Sequence, residues 1–117
     1  MMSTILVVDD EANIRKLLEK ELGEEGYQVL SAPDGETAVE LVKGNGVDLV
    51  VLDIRMEGQS GIETLRQLIL EKKTLPVVLH TGYAQYKMDF STWMASAYVM
   101  KSSDLSELKE TIRGLLS

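Results

Sequence analysis

The side chains able to do chemistry stand at the ends of apolar runs. Asp9 and Asp10 follow Ile5-Leu6-Val7-Val8, and Asp53 follows Leu49-Val50-Val51-Leu52. Lys101 follows Tyr98-Val99-Met100, and the run Val77-Val78-Leu79-His80 ends in Thr81. If these runs are neighbouring parallel strands, the polar groups meet at the carboxyl edge of one sheet, where open α/β sheets build their sites. Clustered carboxylates repel one another unless a cation lies among them. A lysine and a hydroxyl beside them complete a pocket for a divalent metal and a phosphoryl group.

Each residue also has a plainer reading. One aspartate of the Asp9-Asp10 pair serves as a helix N-cap, since acidic side chains favour a first turn. A second beside it is an electrostatic cost without a cation. Asp53, directly after four apolar residues, is hard to explain structurally. Its chemical role is that of a nucleophile, because a carboxylate can accept a phosphoryl group when a metal shields its charge. Magnesium suits such a site, since it takes few protein carboxylates and keeps water for phosphate oxygens. Thr81-Gly82 is either a strand-to-loop turn or a hydroxyl offered to a phosphate oxygen. Lys101 is either a solvated charge or an ammonium facing the carboxylates. Tyr98 reads as partly core. His80, the only histidine, reads as a strand-end residue with no metal role. Phe90, Trp93 and Met94 read as packing residues.

The elements that position these groups follow from periodicity. Strands are expected at Thr4 to Asp9, Tyr27 to Ala32, Asp48 to Asp53, Leu75 to Thr81 and Ala97 to Lys101. Ile14, Leu17, Leu18 and Leu22 recur at helical spacing, and Gly23 or Gly26 ends that helix. Pro33-Asp34-Gly35 is a turn, and Ala38, Leu41 and Val42 mark a short helix ended by Gly44-Asn45-Gly46. Ile62, Leu65, Leu68 and Ile69 mark a third helix, and Tyr83 to Met94 a weak one. Asp104 is expected to cap a last helix with Leu105, Leu108, Ile112 and Leu115 on its apolar face. The strands lack in/out alternation, as befits a parallel sheet covered on both faces. The expected fold is a doubly wound α/β (βα)₅, flavodoxin-like, with five parallel strands in the order 2-1-3-4-5.

Bulk composition narrows the classes. At 117 residues the chain is expected to be a single domain over 1–117, with its last helix leaving no room for an output domain. A net charge of −7 argues against a direct nucleic-acid binder. The absence of cysteine excludes disulfides, thiolate metal sites and thiol catalysis. Met-Met-Ser is too short and polar for a signal peptide, and no apolar run approaches a membrane span. A cytoplasmic protein with no membrane partner is expected. Neither a GxGxxG, a GxxxxGK[ST] nor a GxSxG motif occurs.

Taken in order, V-V-D-D (7 to 10), L-D-I-R-M-E-G-Q-S-G (52 to 61), H-T-G (80 to 82) and A-Y-V-M-K-S (97 to 102) resemble the receiver domain of bacterial two-component response regulators. The resemblance covers essentially the whole chain. It implies that Asp53 is the phosphoacceptor, and that Mg2+ is held by Asp10 and Asp53, by Asp9 partly through water, and by the backbone carbonyl of Arg55. It implies Thr81 as the switch hydroxyl, Lys101 as the phosphate-binding lysine and Tyr98 as the switch aromatic. Asp53, Lys101 and Thr81 are then the catalytic groups. The implied partners are a sensor histidine kinase and a downstream protein target, with a homodimer formed on phosphorylation. The domain would catalyse its own phosphorylation and dephosphorylation and turn over no separate substrate.

Four features depart from the family pattern. Ser102 stands where the family has a proline joined by a cis bond, and a trans Lys101–Ser102 peptide is expected. Met56-Glu57 replaces Met-Pro. The segment from Thr81 to Lys101 is a couple of residues short. Arg55 and Tyr83 are bulky neighbours of the phosphorylation site. Two other functions fit these residues less well. One is a magnesium-dependent phosphohydrolase with an aspartyl nucleophile; its haloacid-dehalogenase-like kind places that residue in D-x-D after the first strand, whereas Asp53 is followed by Ile54-Arg55 and no cap domain is expected. A phosphorylation-independent interaction module would not need the complete set of site residues.

Overall fold

The computed structural model of the chain describes residues 2–56, 59–82 and 94–117. Among these residues eleven elements follow one another: β1 (Thr4–Val8), α1 (Ala12–Glu24), β2 (Gln28–Ala32), α2 (Gly35–Gly44), β3 (Leu49–Leu52), β4 (Arg55–Met56), β5 (Gln59–Ser60), α3 (Gly61–Glu71), β6 (Val77–Thr81), β7 (Ala97–Met100) and α4 (Ser106–Leu116). The main sheet is parallel throughout, in the order β2-β1-β3-β6-β7. That is the expected 2-1-3-4-5. The expected weak helix at Tyr83 to Met94 falls, apart from Met94, outside the described residues. The short antiparallel ribbon of β4 with β5 was not anticipated; it pairs Arg55 with Ser60 and Met56 with Gln59.

Two apolar layers hold the sheet. Leu6, Val8, Val50, Leu52, Val77 and Leu79 pack with Ala38 and Val42 of α2 and Leu65 and Leu68 of α3. On the other face Ile5, Val7, Val51, Val78 and Val99 pack with Leu18 and Leu22 of α1 and Leu108 and Ile112 of α4. Both faces are thus covered, which is why the strands read as continuous apolar runs. Helices α1 and α4 are also tied by Lys109–Glu21 at 2.9 Å and Arg113–Glu25 at 3.1 Å. The Lys109 hydrogen bond and charge hold the Glu21 carboxyl below its ordinary value.

Local signals explain the ends. Asp34 is the N-cap of α2, its Oδ1 accepting the Thr37 N–H at 2.8 Å. That bond lowers its carboxyl pKa. Gly26, not Gly23, ends α1: it has a φ of 97°, and its N–H donates to the Gly23 carbonyl. Only glycine adopts that conformation freely. The last helix corrects one expectation. Its N-cap residue is Leu105, with no side-chain cap bond. Asp104 lies one residue earlier and serves the helix from outside, its Oδ1 accepting both the N–H and the hydroxyl of Ser106. There is no cis peptide bond among the described residues, so Lys101–Ser102 is trans as expected.

Candidate functional site

The sheet ladder carries the reactive side chains to one edge. Val7 pairs with Val51, and Val51 with Val78. The Asp53 N–H donates to the Val8 carbonyl at 3.0 Å, and the Lys101 N–H to the Thr81 carbonyl at 2.7 Å, so the ladder continues past the strand ends. Side chains alternate along a strand with a period of two. Asp9, Asp53, His80 and Lys101 therefore share the face of Val7, Val51, Val78 and Val99, under α1 and α4. Thr81 and Tyr98 share the other face, with Leu79. The expected groups do converge on one edge, but from two faces of the sheet.

One oxygen from each of Asp9, Asp10 and Asp53 lies within 4.8 Å of the others. Asp9 and Asp53 are buried, and Asp10 is the least buried of the three. The Lys101 ammonium stands 3.0 Å from Asp9 Oδ2, 3.2 Å from Asp53 Oδ2 and 3.4 Å from Glu11 Oε1. Burial alone pulls the lysine pKa down. The hydrogen bond to Asp9 and the charges of Asp53 and Asp9 outweigh it, and the net shift is upward. Lys101 is thus a fixed positive charge. Against three clustered carboxylates it leaves a negative excess. The donors are all hard oxygens, which fits a divalent ion of the magnesium type better than a soft transition metal.

Glu11, Arg15 and Gly61 fasten this cluster, and the sequence did not single them out. The Glu11 N–H donates to Asp9 Oδ1 at 3.0 Å. Arg15, one turn into α1, donates from Nη1 to the Asp9 carbonyl at 2.7 Å. Gly61 donates its N–H to the Ile54 carbonyl at 2.9 Å. A Cβ at position 61 would collide with the Ile54 Cα and carbonyl and stand 2.6 Å from the Asp53 carbonyl. The first residue of α3 must therefore be glycine for the backbone after Asp53 to pass so closely. The only local clue was its place in the S-G pair at the start of a helical pattern. Arg15 left no sequence signal, because its partner is a main-chain atom.

The remaining expected residues are placed as follows. Thr81 is fully buried. Tyr98 is half-buried and packs against the α2–α3 layer. Arg55 lies in β4, two residues beyond Asp53. His80 lies in the same row as Asp9, Asp53 and Lys101, and among the described residues it is not part of the carboxylate group. It is nonetheless unusual: it is 4% exposed, and its Nε2 has no hydrogen-bond partner among the described residues. Burial, then the Lys101 charge, push its pKa down to about 4 against a smaller opposing effect of Asp9. The ring is neutral at pH 7.

The sequence profile of the response regulator receiver domain matches residues 5–113. Sporulation initiation phosphotransferase F of Bacillus subtilis (strain 168) is 31% identical over 99% of this chain and 95% of its own length. The regulatory protein AtoC of Escherichia coli (strain K12) is 33% identical over 98% of this chain, but that match covers only 25% of AtoC. The chain thus spans nearly all of one curated relative and a quarter of another. The crystal structure of the response regulator protein TrrA from Thermotoga maritima, in complex with Mg2+-BeF, is 47% identical with a TM-score of 0.95, over 98% of this chain and 100% of that one. TrrA in complex with the histidine kinase ThkA is equally identical, with a TM-score of 0.93 over 99% and 100%. With a profile match over nearly its whole length and these relatives, the chain belongs to the family of response regulator receiver domains.

Proposed function

We propose that this chain is a phosphoacceptor switch, taking a phosphoryl group from the phosphohistidine of a partner sensor histidine kinase onto Asp53. The observation that carries the reading is the Asp53 carboxylate itself: nearly fully buried at the sheet edge, beside two further carboxylates and 3.2 Å from a lysine ammonium. Asp53 attacks phosphorus, the bond from phosphorus to the imidazole nitrogen breaks, and the imidazole departs. Lys101 neutralises charge on the phosphoryl oxygens during transfer, where positioning and electrostatics do most of the work. Asp9, Asp10 and Asp53, with the main-chain carbonyl of Arg55, are the residues that would hold Mg2+. When bound, the ion supplies the charge neutralisation that lets an anionic donor approach an anionic acceptor.

The product carries about −1.5 to −2 charges at neutral pH. Thr81, buried beside the site, offers its hydroxyl to the new phosphoryl oxygens, and Tyr98 on the same sheet face fills the space this leaves. Driving a two-state equilibrium from almost all inactive to almost all active takes about 5 kcal/mol of differential interaction. Charge-assisted contacts with Lys101 and Thr81 are of the kind that supply it. The readout is a downstream protein surface, with a phosphorylation-induced homodimer as one form of it. The crystallised complexes of TrrA with Mg2+-BeF and with a histidine kinase support this reading.

The test is chemical. Incubation with acetyl phosphate and Mg2+ should add one phosphate, labile to hydroxylamine, to the parent chain and none to Asp53→Asn. Equal labelling of the two proteins would remove Asp53 from the mechanism.

A further inference from the structure

Helix α1 begins in an unusual way. Its N-cap residue is Glu11, with extended φ −88° and ψ 114°, and its side chain makes no cap hydrogen bond. Ser, Thr, Asp and Asn are the residues that cap well, because a short side chain folds back onto the first free N–H groups. Glutamate at this place forgoes that bond. Its carboxylate instead crosses to Lys101, ninety residues along the chain, with Oε1 3.4 Å from Nζ. Positions that break a local rule without local compensation are where functional constraint is expected.

The backbone of Glu11 is pinned on both sides. Its N–H donates to Asp9 Oδ1, and its carbonyl accepts the N–H groups of Ile14 and Arg15, each at 3.1 Å. The side chain, 63% exposed, therefore leaves a fixed point at the rim and reaches inward to the ammonium. A lysine ammonium has three donors and here meets three carboxylates. Two of them, Asp9 and Asp53, belong to the cluster that suits a divalent cation, and Asp53 is also the acceptor. Among the described residues, Glu11 is the one carboxylate partner of Lys101 outside that cluster.

We infer that Glu11 is a positioning residue for Lys101: it keeps the ammonium at the mouth of the site when Asp9 and Asp53 are committed to the cation and the phosphoryl group. The inference rests on the reading of Asp53 as phosphoacceptor. Without Glu11, the long lysine side chain must find its phosphoryl contact from many rotamers, and the transfer step slows. Donor capture is not the step affected.

The experiment compares the parent with Glu11→Ala and Glu11→Gln, alone and in a Lys101→Met background. Phosphorylation by acetyl phosphate is followed by mass spectrometry at several donor and Mg2+ concentrations. High ionic strength suppresses long-range charge effects on the anionic donor. Beryllofluoride affinity, measured by calorimetry with Mg2+, gives a second readout where rates become too slow. Glu11→Ala should lower the limiting rate, or beryllofluoride affinity, about fivefold while half-saturating Mg2+ stays within twofold. Glu11→Gln should fall between it and the parent, because the amide oxygen still accepts from Nζ. In the Lys101→Met background Glu11→Ala should change nothing, since both substitutions then act on one missing contact. An equal loss in that background, an unchanged rate in the single variant, or a faster one would overturn the inference. Failure of the Asp53 reading is separately visible, as labelling that survives Asp53→Asn or is absent from the parent; it would take this inference with it.

Discussion

Replacing Lys101 by methionine should weaken the metal-free protein and tighten its hold on magnesium. The ammonium bridges two carboxylates whose side chains are 3% and 4% exposed. Removing one partner of a buried ion pair typically costs about 3–5 kcal/mol, because the other charge is left uncompensated. Here two features limit the loss. A stranded carboxylate can take up a proton, which for an ordinary aspartate at pH 7 costs about 4 kcal/mol and sets an upper bound. The methionine also keeps most of the apolar stem of the lysine in place. A loss of about 2–3 kcal/mol in the metal-free state is expected from these limits. Magnesium should reverse it. Lysine and the divalent ion compete for oxygens of Asp9 and Asp53, so the variant should bind Mg2+ about tenfold more tightly, or more, each factor of ten being about 1.4 kcal/mol. At a free concentration 100 times its dissociation constant the ion returns about 2.7 kcal/mol of stability. Urea denaturation at pH 7, with and without Mg2+, reads both quantities, and calorimetric titration gives the affinity directly. Equal magnesium affinities, or an unchanged metal-free midpoint, would refute the competition.

Three further outcomes follow from particular side chains. Asp10→Ala should weaken Mg2+ binding by about tenfold or more, as loss of a metal ligand does at least what loss of its support does; it should also raise metal-free stability by relieving repulsion. A titration indistinguishable from the parent's would count against the cluster as a metal site. The depressed pKa of His80, about 4 against an ordinary 6.5, means the unfolded chain binds its proton first. Its contribution is fully present above pH 6.5 and is lost as pH falls to about 4, amounting to about 3 kcal/mol. His80→Leu should flatten that part of the stability–pH curve, and parallel curves for the two proteins would contradict the assignment. Gly61→Ala should cost about 1–3 kcal/mol and disturb the backbone after Asp53, whereas Gly44→Ala, with nothing within 4 Å, should cost nothing. Equal melting temperatures for these two variants would show that the close approach is easily relieved.

Much of this molecule was readable in one dimension because its fold is built from strong, repeated local signals. Short continuous apolar runs rich in β-branched residues and bounded by turn signals read as strands covered on both faces, and apolar residues at helical spacing between them read as crossover helices. Parallel order then follows from chirality and connection length. Asp9, Asp53, Thr81 and Lys101 stand out in the sequence because each follows a largely apolar run at its carboxyl end, and Asp10 because it doubles the charge of Asp9. The β4–β5 ribbon was not anticipated, because Arg55-Met56 and Gln59-Ser60 are too short to show any periodicity.

Other features belong to three dimensions. Gly26 rather than Gly23 ends α1 because the chain must turn left-handed there to enter β2, and sequence leaves the two glycines equivalent. The last helix starts at Ser106 rather than directly after Asp104, a shift of one residue that no propensity encodes. The sequence alone determined that carboxylates, a hydroxyl and a lysine would meet at one sheet edge. Tertiary structure decided which face each approaches from, and which residues hold them there. Glu11 reaches Lys101, Arg15 reaches a main-chain carbonyl, Gly61 admits the backbone beyond Asp53, and His80 is buried neutral in the same row. Each depends on the register between strands or on close contact between distant segments. A sequence carries such contacts only as the sum of all its packing, never as a local pattern.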